Sequence, residues 1–142
     1  MPIAKQLEDK LHQRILQLSK AGDESLAAGN YSQAIGQFRT AFALVPEPYQ
    51  EWEASLWLLT ALGEAYYFAG EYELARAALT SVMHVPGAIG NPFVHLRLGQ
   101  VQFELGNTQQ AADELIRAYM GGGKEIFEEE DGKYVTFLQA FL

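Results

Sequence analysis

Apolar residues recur along the chain every three or four positions, and glycine or proline breaks the pattern at regular places. Leu59, Leu62, Gly63 and Tyr66 fall on one face of a helix that turns every 3.6 residues or so. Upstream, Ile3, Leu7, Leu11, Ile15 and Leu18 form a second helical stripe, which predicts a first helix beginning near residue 3. Breaks are expected near Gly29, Pro46, Gly70, Pro86 to Pro92, Gly106 and the triplet Gly121-Gly122-Gly123. This helical spacing between the breaks makes the pattern all-α. The remainder, Lys124 to Leu142, reads as one or two short helices interrupted near Asp131-Gly132.

The breaks repeat. Gly22 is followed seven residues later by Gly29 and five after that by Ala34; Gly63, Gly70 and Ala75 keep the same intervals, as do Gly99, Gly106 and Ala111. A further seven residues bring Ala41, Val82 and Ala118, and the large apolar positions between are Phe38, Leu79 and Leu115. A glycine inside a helix costs about 1 kcal/mol relative to alanine. Its recurrence points to close approach by a neighbouring helix. The second glycine suits the left-handed position that ends a helix. A second helix can start at Asn30-Tyr31, Glu71-Tyr72 and Asn107-Thr108, with the alanine allowing it to pack tightly on the first. Each unit is thus a helix hairpin that must stack on neighbours to bury both faces.

This pattern, over about residues 15 to 123, resembles the tetratricopeptide repeat (TPR). The first unit carries Leu18, Gly22, Ala34, Phe38, Ala41 and Pro46, with Ser25 at the usual tyrosine position. The second carries Leu59, Leu62, Gly63, Tyr66, Ala75 and Leu79, with Pro86 near its end. The third carries Leu98, Gly99, Ala111, Leu115 and Ala118, with Gln102 in place of the tyrosine and His95 in place of a large apolar residue. The resemblance implies an α-solenoid of three hairpins at about 15–48, 56–89 and 92–123. An extended N-terminal helix and short C-terminal helices flank them, and residues 124–142 form a capping segment of one domain spanning 1–142. The spacing departs from a regular 34-residue repeat, since Gly22 to Gly63 is 41 residues and Gly63 to Gly99 is 36. The first insertion, Pro46 to Glu53, is expected to extend the second unit's first helix. The second, Pro86 to Pro92, is expected to be an irregular loop.

Charge and composition narrow the function. Eighteen acidic residues against ten basic ones give a net charge of −8. Such a surface repels phosphate backbones and anionic lipid, so nucleic acid and membranes are poor partners and a basic protein surface is a better one. Cysteine is absent, which removes disulfides, thiolate nucleophiles and cysteine-based zinc sites. The charged first residues, Met1 to Lys10, lack the apolar run of a signal peptide, and the longest apolar stretch, Leu56 to Phe68, is interrupted by Glu64, so the expected compartment is the cytoplasm.

Catalytic motifs fail in turn. No H-E-x-x-H surrounds His12, His84 or His95, and there is no G-x-S-x-G or dinucleotide fingerprint. Gly123-Lys124 lacks the rest of a phosphate loop and reads as a helix-breaking hinge. His95 reads as a satisfied core or groove histidine, and Glu128 to Asp131 as a solvated helix surface without the ligand pattern of a calcium loop. No cofactor, metal or catalytic residue is expected.

The resemblance instead implies a concave face lined by the first helix of each hairpin. Residues mapped to it include Asp23, Leu26 and Ala27. The candidate partner-binding residues are Trp57, Glu64, Tyr67, Phe68, Phe93, Arg97, Gln100 and Phe103. Aromatics with arginine are the usual composition of interface hot spots. The competing occupant of this face is the chain's own tail, through Val135, Phe137, Leu138, Phe141 and Leu142. TPR co-chaperones hold the acidic C-terminus of heat-shock chaperones with a two-carboxylate clamp. The corresponding residues here are Ser19, Asp23, Ala61, Phe93 and Arg97, of which only Arg97 matches. The expected function is a non-enzymatic protein-binding module. The stretch from Gly90 to Tyr134 resembles stand-alone bacterial TPR proteins of the toxin-immunity type, which mask a toxin domain. A secretion-type chaperone is the alternative, and a hydrolase using Glu64 or His95 is a third reading. An enzyme needs a closed polar pocket, whereas a binder shows an open groove. Oligomeric state is left open by the sequence.

Overall fold

Seven α-helices make up the fold in the computed structural model, which describes residues 4–142: α1 (Asp9–Ala27), α2 (Tyr31–Ala43), α3 (Glu53–Phe68), α4 (Tyr72–Val82), α5 (Pro92–Glu104), α6 (Thr108–Gly122) and α7 (Gly132–Gln139). Among the described residues there is no sheet, only an isolated bridge between Lys5 and Trp52. The chain divides into two compact units, the first ending at Ala88 and the second beginning at Ile89. The hairpins α1–α2 and α3–α4 belong to the first, and α5–α6 with α7 to the second.

The three hairpins share one construction. The mid-helix glycines lie under the large residue of the partner helix. A methyl group added at Gly22 would stand 2.6 Å from Phe38, at Gly63 2.5 Å from Leu79, and at Gly99 2.7 Å from Leu115. Phe38, Leu79 and Leu115 are all fully buried, as are Ala34, Ala75 and Ala111. The glycine therefore serves as the floor of a side-chain socket. The turns match as well. Gly29, Gly70 and Gly106 have φ of 80°, 77° and 80°, in the left-handed region that glycine occupies without strain. Beyond each, an amide returns to the helix five residues back: Asn30 to Ser25 (2.8 Å), Glu71 to Tyr66 (2.9 Å) and Asn107 to Gln102 (2.9 Å). These bonds satisfy carbonyls that the helix end leaves free. Where tyrosine is missing, polar pairs take its place: Ser25 Oγ donates to Gln37 (2.8 Å), and Asn107 Nδ2 donates to Gln102 (2.7 Å).

Two expectations need correction. The first helix begins at Asp9, not near residue 3. Ile3 lies outside the described residues, and Ala4 to Glu8 precede the helix; there the Lys5 amide donates to Glu51 O (2.5 Å) and its carbonyl accepts from Glu53 N–H (2.9 Å). The insertion from Pro46 does not lengthen α3. It forms a short 3-10 turn over Tyr49–Glu51, and α3 starts at Glu53. Pro46 and Pro48 lack an amide hydrogen and oppose helical continuation, and Lys5 uses the backbone of Glu51 and Glu53 for the bridge. The loop from Pro86 to Pro92 is irregular as expected, and Asn91 caps α5 by accepting from Phe93 N–H (3.0 Å). In the glycine triplet α6 runs through Gly122, and the break falls at Gly123 (φ 71°).

Candidate functional site

Within the first unit, the candidate residues sit on α3. Trp57, Glu64 and Phe68 lie seven and four residues apart, so they share a helix face, with Tyr67 beside them. Trp57 is half-buried, edge-on to His12 of α1 at 6.5 Å between centroids. Phe68, 43% exposed, stacks on Tyr31 at the start of α2, with centroids 6.0 Å apart and planes 22° from parallel. Tyr67 meets Phe68 at 5.2 Å and Tyr72 of α4 at 6.1 Å. Glu64 and Phe68 join Asp23, Leu26, Ala27 and Tyr31 around an open pocket of about 320 Å³. Burial, and then the neighbouring Glu64 carboxylate, push the Asp23 carboxyl above its ordinary range.

Within the second unit, the candidate residues on α5 turn mostly toward the chain's own tail. Arg97 donates to Glu130 (2.8 Å) and to Gln100 (2.7 Å), and Gln100 Nε2 donates to the same Glu130 carboxylate (2.7 Å). Gln100 is fully buried. Phe103 lies edge-on to Tyr134 (5.3 Å) and Phe137 (5.1 Å) of α7. The Tyr134 hydroxyl donates to Glu104 (2.8 Å), and Lys133 pairs with the same carboxylate (2.9 Å). Asp131 begins α7 by accepting from Lys133 N–H (3.0 Å), and Tyr134 and Leu138 are buried. Phe93 differs from the other three: at 67% exposed it stands on the rim of a pocket of about 380 Å³ whose remaining wall includes Leu96, Arg97, Ile126 and Glu129.

The acidic run Glu128 to Asp131 is accordingly not one solvated helix surface. It lies between a 3-10 turn, Lys124–Phe127, and α7, and its Glu130 is a structural carboxylate. His95 is a satisfied core histidine, 3% exposed: its Nε2 accepts from Gly90 N–H (2.8 Å), and its Nδ1 lies 2.5 Å from Glu114. No group of three or more potential metal ligands occurs among the described residues, and no helix there is long and apolar enough to cross a membrane. Sequence reasoning passed over Tyr31. The signal was the tyrosine two residues after each of the first two hairpin glycines, Tyr31 and Tyr72, both of which contact the aromatic pair ending α3.

The tetratricopeptide repeat family model matches residues 19–62 and 60–123, most of the chain. The chain belongs to the tetratricopeptide repeat family. Solved TPR structures share its fold at low identity. The second TPR domain of human RPAP3, in complex with an HSP70 peptide, is 19% identical, with 92% of this chain and 96% of that one covered, at a TM-score of 0.69. The C-terminal TPR-containing domain of a putative FK506-binding protein from Plasmodium falciparum is 15% identical, covering 94% and 88%, at 0.72. The Yersinia enterocolitica type III secretion chaperone SycD, in complex with a peptide of the translocator YopD, is 19% identical, covering 89% and 90%, at 0.69. No curated protein sequence matches the chain. This TPR protein has the fold of a protein–protein interaction module.

Proposed function

We propose that this TPR protein is a non-enzymatic, cytoplasmic binding module for a basic protein partner, and that it acts as an immunity protein masking a toxin domain. The observation that carries the binding reading is that each unit exposes a large aromatic to solvent, Phe68 on α3 and Phe93 on α5, on a chain of net charge −8. Exposed aromatics supply contact area at little entropic cost, and the negative field favours a basic partner. The pockets beside them are open, which suits a docked surface better than enclosed chemistry. The ligand of the RPAP3 domain does not transfer: of the clamp positions only Arg97 matches, and Arg97 holds Glu130.

The likeness to SycD supports a second reading, a chaperone that holds an exported protein. Capture with the full chain as bait, followed by rebinding of the purified partner, separates the two. The immunity reading expects a basic, toxic domain whose toxicity is lost in a stoichiometric complex, with Phe68→Ala and Phe93→Ala each weakening it about tenfold. A non-toxic, exported partner favours the chaperone. Partner binding that ignores both substitutions contradicts the proposed surface.

A further inference from the structure

The pocket of the first unit has a composition that selects its occupant. Its six lining residues come from α1, α2 and α3 and include two carboxylates, Asp23 and Glu64, two rings, Tyr31 and Phe68, and no basic side chain. We infer that this pocket receives a lysine or arginine side chain presented by the protein partner. The inference rests on the protein-binding reading above and specifies the chemistry of one of its contacts.

Three physical features converge on a cation. The stacked Tyr31 and Phe68 rings form a wall to which a positive charge within about 6 Å is attracted. Leu26 and Ala27 provide apolar surface for the methylene stem that lysine and arginine both carry. Asp23 supplies the counter-charge at the pocket, and Glu64, which has further contacts of its own, adds a second negative charge to the wall. A norleucine-like side chain would match the rings and the stem surface but would desolvate the carboxylates without compensating them. An acidic side chain would be repelled outright. The upward displacement of the Asp23 carboxyl, from burial first and the Glu64 charge second, fits the same picture, since a docked cation would offset both.

The test titrates the ¹⁵N-labelled full chain with N-acetyl-lysine methylamide and N-acetyl-arginine methylamide, using the norleucine and citrulline analogues as neutral isosteres. Saturable amide shifts are expected in Asp23 to Ala27 and Glu64 to Phe68, with the isosteres at least tenfold weaker. Asp23→Asn and, independently, Phe68→Ala should each weaken the cationic probes about fivefold or more, while amides outside the pocket keep their positions. Equal shifts from charged and neutral probes, shifts that map elsewhere, no shift at about 50 mM probe, or indifference to both substitutions would overturn the inference. Because the titration needs no partner, its failure removes the cation pocket alone. The binding reading falls separately, if the partner ignores Phe68→Ala and Phe93→Ala.

Discussion

A glycine beneath a large side chain sets the closeness of each hairpin, so substitutions there act at the scale of single atoms. Gly63→Leu must displace Leu79, whose Cγ would already lie 2.5 Å from a methyl at that position. Overpacking of this kind costs about 1–3 kcal/mol or more. Phe38→Ala empties the corresponding socket of the first hairpin at about 3–5 kcal/mol. Thermal melts of both variants check this; unchanged melting temperatures would mean that the sockets do not hold the helices together. Asp23 behaves differently. Its folded pKa lies above its unfolded one, so the folded chain binds more protons in the acidic range. The stability tied to this group is fully present below the unfolded pKa, about 4, and is lost as pH rises through the folded value. Asp23→Asn should therefore be as stable as the parent or slightly more so near pH 7, and the difference should close as pH falls to about 3. Denaturant titrations across that range check the sign. A large loss near neutral pH would show that the carboxylate holds a structural contact.

At the scale of elements, the tail is part of the second unit's packing. Tyr134 and Leu138 are buried, and Phe103, Gln100 and Arg97 on α5 contact residues between Glu130 and Phe137. Deleting the residues after Gly132 removes Tyr134, Phe137 and Leu138 and uncovers Phe103. The shortened chain should melt lower and aggregate, as judged by light scattering; a soluble chain with an unchanged melt would mean that α7 contributes nothing to this unit. Elements that depend on local spacing were legible in the sequence. Gly29, Gly70 and Gly106 have the left-handed φ that their positions imply, and Ala34, Ala75 and Ala111 are buried where the repeat requires small residues. What escaped depends on partners distant along the chain. Leu7 continues the helical stripe, yet Lys5 pairs with the backbone of Glu51 and Glu53, so the chain around it is not helical. Glu130 reads as one of several surface acids until Arg97 and Gln100, thirty or so positions earlier, are found holding it. Tyr31 joins Phe68 only through the packing of α2 on α3.

For the molecule as a whole, the proposed function assigns to charge how a partner arrives and to the aromatics how long it stays. With a net charge of −8, the association rate with a basic partner should fall as salt is raised, since screening shortens the field to roughly 8–10 Å near physiological ionic strength. Stopped-flow measurements at low and high salt check this; a flat rate would mean that charge does not select the partner. The central claim is that the aromatics of α3 and α5 divide the work. Phe68 and its pocket are open to a partner, whereas Phe103 belongs to the packing of α7. The most direct test measures partner affinity and thermal stability side by side for Phe68→Ala and Phe103→Ala. The account predicts that Phe68→Ala weakens the complex about tenfold or more with its melt nearly unchanged, and that Phe103→Ala lowers the melting temperature of the free protein. If Phe103→Ala instead weakens binding without loss of stability while Phe68→Ala leaves the affinity intact, the account is contradicted.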